Sequence, residues 1–110
     1  MKQYVIDQLR PADFEAVKAY LDKNCNPSHV DGIYWVSLDQ DILTDVQMEH
    51  SECHPFYFAV ELEQNSMACE FLIRTQKTIR CSCMGYATEK QRNRIIRFAD
   101  SVFDELDIKI

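Results

Sequence analysis

Two short runs hold the residue types most capable of chemistry: His50-Ser-Glu-Cys53-His54 and Cys81-Ser-Cys83. Imidazole nitrogens and thiolates are the soft donors that zinc collects into a tetrahedron, so His50, Cys53, His54, Cys81 and Cys83 form a candidate ligand set, with Cys25 and His29 as more distant donors. The spacing matches no finger or ribbon, which would show two CxxC pairs or CxxC with HxxxH; here one HxxCH must join one CxC. The competing reading is that the thiols are small buried hydrophobes, because free cysteine is among the most buried residue types, and that His50 and His54 lie at the surface or at a helix end. A Cys81–Cys83 disulfide is strained if the two lie on one extended strand, where residues two apart are about 6.6 Å apart. Cysteine catalysis would need a base such as His54 or His50 within hydrogen-bond reach of the thiol, plus an orienting acid and an oxyanion donor, and the sequence shows only that these residue types are present.

A second constellation is electrostatic. Between Asn24 and Ile73 there is no Lys or Arg and there are nine acids, whereas Arg74 to Arg97 holds seven basic residues (Arg74, Lys77, Arg80, Lys90, Arg92, Arg94 and Arg97) against Glu89 alone. The net charge of −6 therefore divides into +6 on that stretch and −12 on the rest. Cations crowded at the start of a helix oppose its dipole by about 0.3–1 kcal/mol each, so they point to an acidic surface or an anion nearby. The alternative is internal pairing, such as Arg97 with Asp100 one turn on.

The elements that must position these groups follow from periodicity. Tyr4 to Leu9 reads as a short strand, and Pro11 opens a helix to about Lys23 carrying Phe14, Val17, Tyr20 and Leu21. Asn26-Pro27-Ser28 and Asp31-Gly32 read as turns before a β-rich run, Ile33 to Val36, expected to be buried on both faces. A short helical pattern lies between Asp39 and Ser51, with Thr44 and Gln47 spaced as a capping box. Phe56 to Met84 alternates as an antiparallel three-stranded meander. Its inner face is Phe56, Phe58, Val60 and Leu62, then Met67, Cys69, Phe71 and Ile73, then Ile79, Cys81 and Cys83. Thr88 with Gln91 caps a long C-terminal helix, about 88–106, whose broad apolar stripe covers the sheet. Trp35, Phe56 and Phe58 belong to the core, and Tyr34, Tyr57 and Tyr86 are expected at the surface.

These elements give the α+β class in one domain over 1–110, with a single sheet covered by an N-terminal helix (about 11–23) and the long C-terminal one. The chain has 110 residues, enough to bury about 60–70% of its unfolded surface. No apolar run approaches a membrane span, and no signal segment opens the chain; five cysteines without one imply reduced thiols, so a soluble cytoplasmic protein is expected. The acidic pI of about 4.9 argues against general nucleic-acid binding. Leu9-Arg10-Pro11-Ala12-Asp13-Phe14 resembles the opening of GNAT acetyltransferase chains, but that family's glycine-bearing coenzyme A loop is missing from a chain with two glycines, and no activity or site transfers.

The leading functional reading is a small non-catalytic binding or accessory protein, working through a charge-complementary protein interface or as a homodimer. The alternative is a zinc-binding or thiol-dependent protein using the His50/Cys53/His54 and Cys81/Cys83 groups. A weaker one is a binder of a small phosphorylated anion at the basic start of the C-terminal helix.

Overall fold

In a computed structural model, which describes residues 2–78 and 80–110, the elements run β1 (Gln3–Ile6), α1 (Pro11–Asn24), β2 (Asn26–Pro27), β3 (Ile33–Ser37), α2 (Asp45–Glu49), β4 (Phe56–Glu63), β5 (Ser66–Glu70), β6 (Leu72–Thr75), β7 (Gly85–Tyr86) and α3 (Glu89–Glu105). Every described strand pairing is antiparallel, in the order β1-β5-β4-β3-β2, with β6 also on β4 and β7 on β6. The α+β class, the two expected helices and the central antiparallel stretch are all present.

The centre of the sheet is a hairpin with a bend in its second arm. Val60 pairs with Cys69, whereas Phe56 pairs with Thr75, so four steps along β4 are matched by six on its partner. The two extra residues fall around Phe71, where the ladder is interrupted as at a β-bulge. An even offset keeps the side-chain parity, so Met67 and Cys69 before the break and Ile73 and Thr75 after it are all buried. The Phe71 backbone is satisfied on both sides, its N–H donating to the Lys2 carbonyl (3.1 Å) and its carbonyl accepting from Ala87 (2.7 Å). One half of the bent arm is thereby flanked by β1 and the other by β7. The third alternating segment of the meander accordingly lies at Leu72–Thr75, upstream of its expected place: Cys81 and Cys83 sit in a turn, and Ile79 lies outside the described residues.

The inner face of β4, with Phe56, Phe58, Val60 and Leu62 all buried, packs in one cluster with Val17 and Leu21 of α1 and Ile95, Ala99, Val102 and Phe103 of α3. Fully burying side chains of this size contributes about 1.5–3 kcal/mol each. Phe58 and Phe98 meet edge to face at 5.6 Å, and the Tyr4 hydroxyl donates to Asp100 at 2.8 Å, tying β1 to α3. Asp100 is thus engaged by Tyr4 rather than paired with Arg97.

The outer face of the sheet is polar and partly open. Trp35 and Tyr57 meet edge to face at 6.3 Å, and Arg74 pairs with Glu70 at 3.2 Å. β3 is therefore not buried on both faces: Trp35 is half-buried, while Tyr34 is buried instead of exposed. Tyr34 is held because its hydroxyl donates to Asp22 of α1 at 2.5 Å, which satisfies the polar tip of an otherwise enclosed ring. Tyr86 is exposed, as its position on a two-residue edge strand implies. No described helix is long and apolar enough to cross a membrane.

Candidate metal centre

His50 ends α2, and the 3-10 turn Ser51–Cys53 follows at once. The Cys53 N–H donates to the His50 carbonyl at 2.9 Å, closing an i to i+3 turn. At three residues per turn, residues three apart eclipse, so the imidazole of His50 and the thiol of Cys53 fall on one side. The turn at Cys81–Met84 is closed by the Met84 N–H on the Cys81 carbonyl at 3.0 Å. A turn folds Cys81 and Cys83 toward a common point, which an extended strand does not.

These two turns face each other. The His50 Nδ1 is 3.0 Å from the Cys81 Sγ, the Cys53 and Cys81 sulfurs are 4.0 Å apart, and the donor atoms of His50, Cys53, Cys81 and Cys83 all lie within 4.8 Å of one another. A tetrahedron with Zn–S near 2.3 Å and Zn–N near 2.0–2.1 Å has edges of about 3.6–3.8 Å, so rotamer adjustments of about an ångström or less convert this group into a Cys₃His shell. Four protein donors close such a shell, the arrangement of structural rather than catalytic zinc, which keeps a position open. With three thiolates and a neutral imidazole around a dication, the loaded centre carries a formal charge of −1.

The thiols are electrostatically unequal. Cys81 is pushed down to about 7, first by the Cys83 backbone N–H aimed at its sulfur, then by the Cys83 thiol, with His50 and Cys53 contributing. Burial pushes Cys83 up to about 12 and also raises Cys53. A metal that binds thiolates displaces the protons these buried thiols otherwise keep.

A layer of buried hydrogen bonds holds the two turns. Thr75 Oγ1 donates to the Cys53 carbonyl at 2.5 Å, and Gln47 Nε2 donates to the Cys83 carbonyl at 3.1 Å. Gln91 Nε2 donates to Gln47 Oε1 and to the Ile42 carbonyl, both at 2.9 Å. Gln47 and Gln91 are also the third residues of the α2 and α3 capping boxes, each Oε1 accepting from the N-cap N–H of Thr44 or Thr88. The capping pattern was legible in the sequence; the further bonds of Gln47 to the Cys81–Met84 turn and of the two glutamines to each other were not, because their partners lie 36 and 44 residues away.

His54 stands outside the group, its Nε2 being 2.7 Å from the Gln47 carbonyl and its ring edge to face with Phe56. Cys25 and His29 are also outside the four-residue group: Cys25 packs half-buried against the core, and His29 is exposed. The basic residues are divided. Arg74 lies on the outer face of the sheet with Glu70, Arg94 pairs with Asp39 at 2.7 Å, and Lys77, Arg80, Lys90, Arg92 and Arg97 are exposed. Part of the charge sorting is therefore internal, a basic segment meeting acids from the acidic one. No protein-family model, curated protein or solved structure matches this chain.

Proposed function

We propose that this chain is a small zinc-binding module in which His50, Cys53, Cys81 and Cys83 close a structural metal centre that pins the turn before β7 to the end of α2, with no catalytic step at the metal. The convergence of four soft donors within 4.8 Å, from two turns 28 or more residues apart in sequence, carries the reading. Hydrophobic burial alone favours dispersing thiols among aliphatic neighbours and gives no reason for a histidine nitrogen to join three of them. Native mass spectrometry of protein purified in reductant, then supplied with zinc, tests it. One zinc per chain, lost in Cys83→Ser and retained in Cys25→Ser, is the expected result; a wild-type chain that takes no zinc at micromolar metal sinks the reading.

A second reading, compatible with the first, is that the module acts through a charge-complementary protein interface. The exposed Lys90, Arg92 and Arg97 of α3 support it, since none of the ion pairs among the described residues involves them. Arg92→Glu leaves the Arg94–Asp39 pair intact, so it should weaken association in low salt without loosening the fold; association indifferent to Arg92→Glu and to salt would remove this reading.

A further inference from the structure

We propose that Cys81 is an oxidation site for hydroperoxides, and that its oxidation closes a Cys53–Cys81 disulfide and expels the metal; this rests on the zinc reading above. The three cysteines of the centre differ in access. Cys53 is 5% exposed and Cys83 is 3% exposed, whereas Cys81 is half-buried, the most exposed residue of the three and so the one most open to a small oxidant. The Cys53 sulfur, 4.0 Å from that of Cys81, is placed to resolve what forms there. Cys83 is two residues from Cys81 in the same tight turn, where the short backbone span between them must strain to bring both sulfurs to a bond of about 2.05 Å, while Cys53 approaches from a separate segment and is free of that constraint. Cys69, fully buried, and Cys25, at the C-terminal cap of α1, both lie outside the cluster and have no such neighbour in it.

The chemistry balances with hydrogen peroxide as the named oxidant. The Cys81 thiolate attacks one peroxide oxygen; an S–O bond forms, the O–O bond breaks, and hydroxide leaves, giving the sulfenic acid. The Cys53 thiolate then attacks the Cys81 sulfur; the S–S bond forms, the S–O bond breaks, and a second hydroxide leaves. Two thiolates have lost two electrons, peroxide has gained them, and two protons from solvent complete two waters. Only His50 and Cys83 remain as protein donors, too few to hold zinc in a tetrahedral shell, so one metal ion leaves per disulfide. Thiol reductants reverse the bond and restore the site.

The test treats zinc-loaded full-length chain with stoichiometric hydrogen peroxide while a chromogenic chelator reads free zinc and intact mass reads oxidation. Expected are one zinc released per chain, a mass loss of about 2 Da corresponding to one disulfide, and a Cys53–Cys81 cross-linked peptide on digestion, all reversed by dithiothreitol and added zinc. Cys25→Ser should behave as wild type. In Cys53→Ser, any metal still bound should leave without the 2 Da loss, and Cys81 should instead progress to oxygenated adducts. Zinc retained while Cys25 oxidises, or a disulfide mapped to Cys81–Cys83 or between chains, overturns the proposal and leaves the metal reading standing. A chain that never takes zinc takes down the metal reading beneath it.

Discussion

Replacing Gln47 with leucine tests the layer that joins the Cys81–Met84 turn to both helices. Gln47 is 4% exposed and makes three side-chain bonds: to the Cys83 carbonyl, from Gln91 Nε2 and from the Thr44 N–H. Gln47→Leu keeps the volume and removes all three. The Thr44 N–H, on a half-buried N-cap, can turn to water, and losing that bond costs about 0.5–1 kcal/mol. Gln91 Nε2 keeps the Ile42 carbonyl, so only part of its donor capacity is stranded, at about 1 kcal/mol. The buried Cys83 carbonyl loses its side-chain donor at about 1–3 kcal/mol. Against a gain of about 1 kcal/mol from the added apolar surface, the net loss is about 3 kcal/mol. With unfolding entropy near 2.1 cal/mol/K per residue over 110 residues, that corresponds to a fall of about 13 °C in Tm. Because the lost bond sits on Cys83, a ligand in the proposed centre, zinc affinity should also drop about 10–100-fold. Thermal melts of metal-free and zinc-loaded protein, with zinc titrated against a competing chelator, read both. A Tm unchanged within 2–3 °C, or zinc affinity within about twofold of wild type, would refute the claim that Gln47 supports the turn.

Three further outcomes are expected. Zinc at about a thousandfold above its Kd should add about 4 kcal/mol to wild-type stability, and this increment should vanish in Cys83→Ser when the two are compared by denaturant unfolding with and without chelator. Phe103→Ala, at a fully buried position between helix and sheet, should cost about 3–5 kcal/mol by the same assay, with zinc stoichiometry at one where the chain still folds. Asp22 is held below its ordinary carboxylate range of 3.8, first by the Tyr34 hydroxyl and then by Lys18. A folded pKa below the unfolded one gives stability that is complete above the unfolded value and is lost as pH falls through the folded one, so Asp22→Asn should flatten the acid limb of the metal-free stability curve below about pH 4 and leave it unaltered in slope near neutrality.

What could be read in the sequence was local. Thr44 with Gln47 and Thr88 with Gln91 mark their helix starts because a capping box needs only residues three apart, and both boxes form. The alternation from Phe56 to Leu62 and the stripe from Ile95 to Phe103 placed the core, because period two and period 3.6 are properties of the chain itself. The residue types of a soft-donor site were legible too, but not which four converge. On an extended strand Cys81 and Cys83 would point to one face about 6.6 Å apart; the offset at Phe71 spends the third strand early, at Leu72–Thr75, and leaves the cysteines to a turn. That same shift gathers Cys53, Cys81 and Cys83 around His50 and leaves His54 turned to Gln47. Register and turn closure depend on hydrogen bonds between segments tens of residues apart, which periodicity cannot encode. Residue type and spacing therefore determined the helices, the core faces and the stock of ligands, while the tertiary structure alone decided which ligands share a point in space.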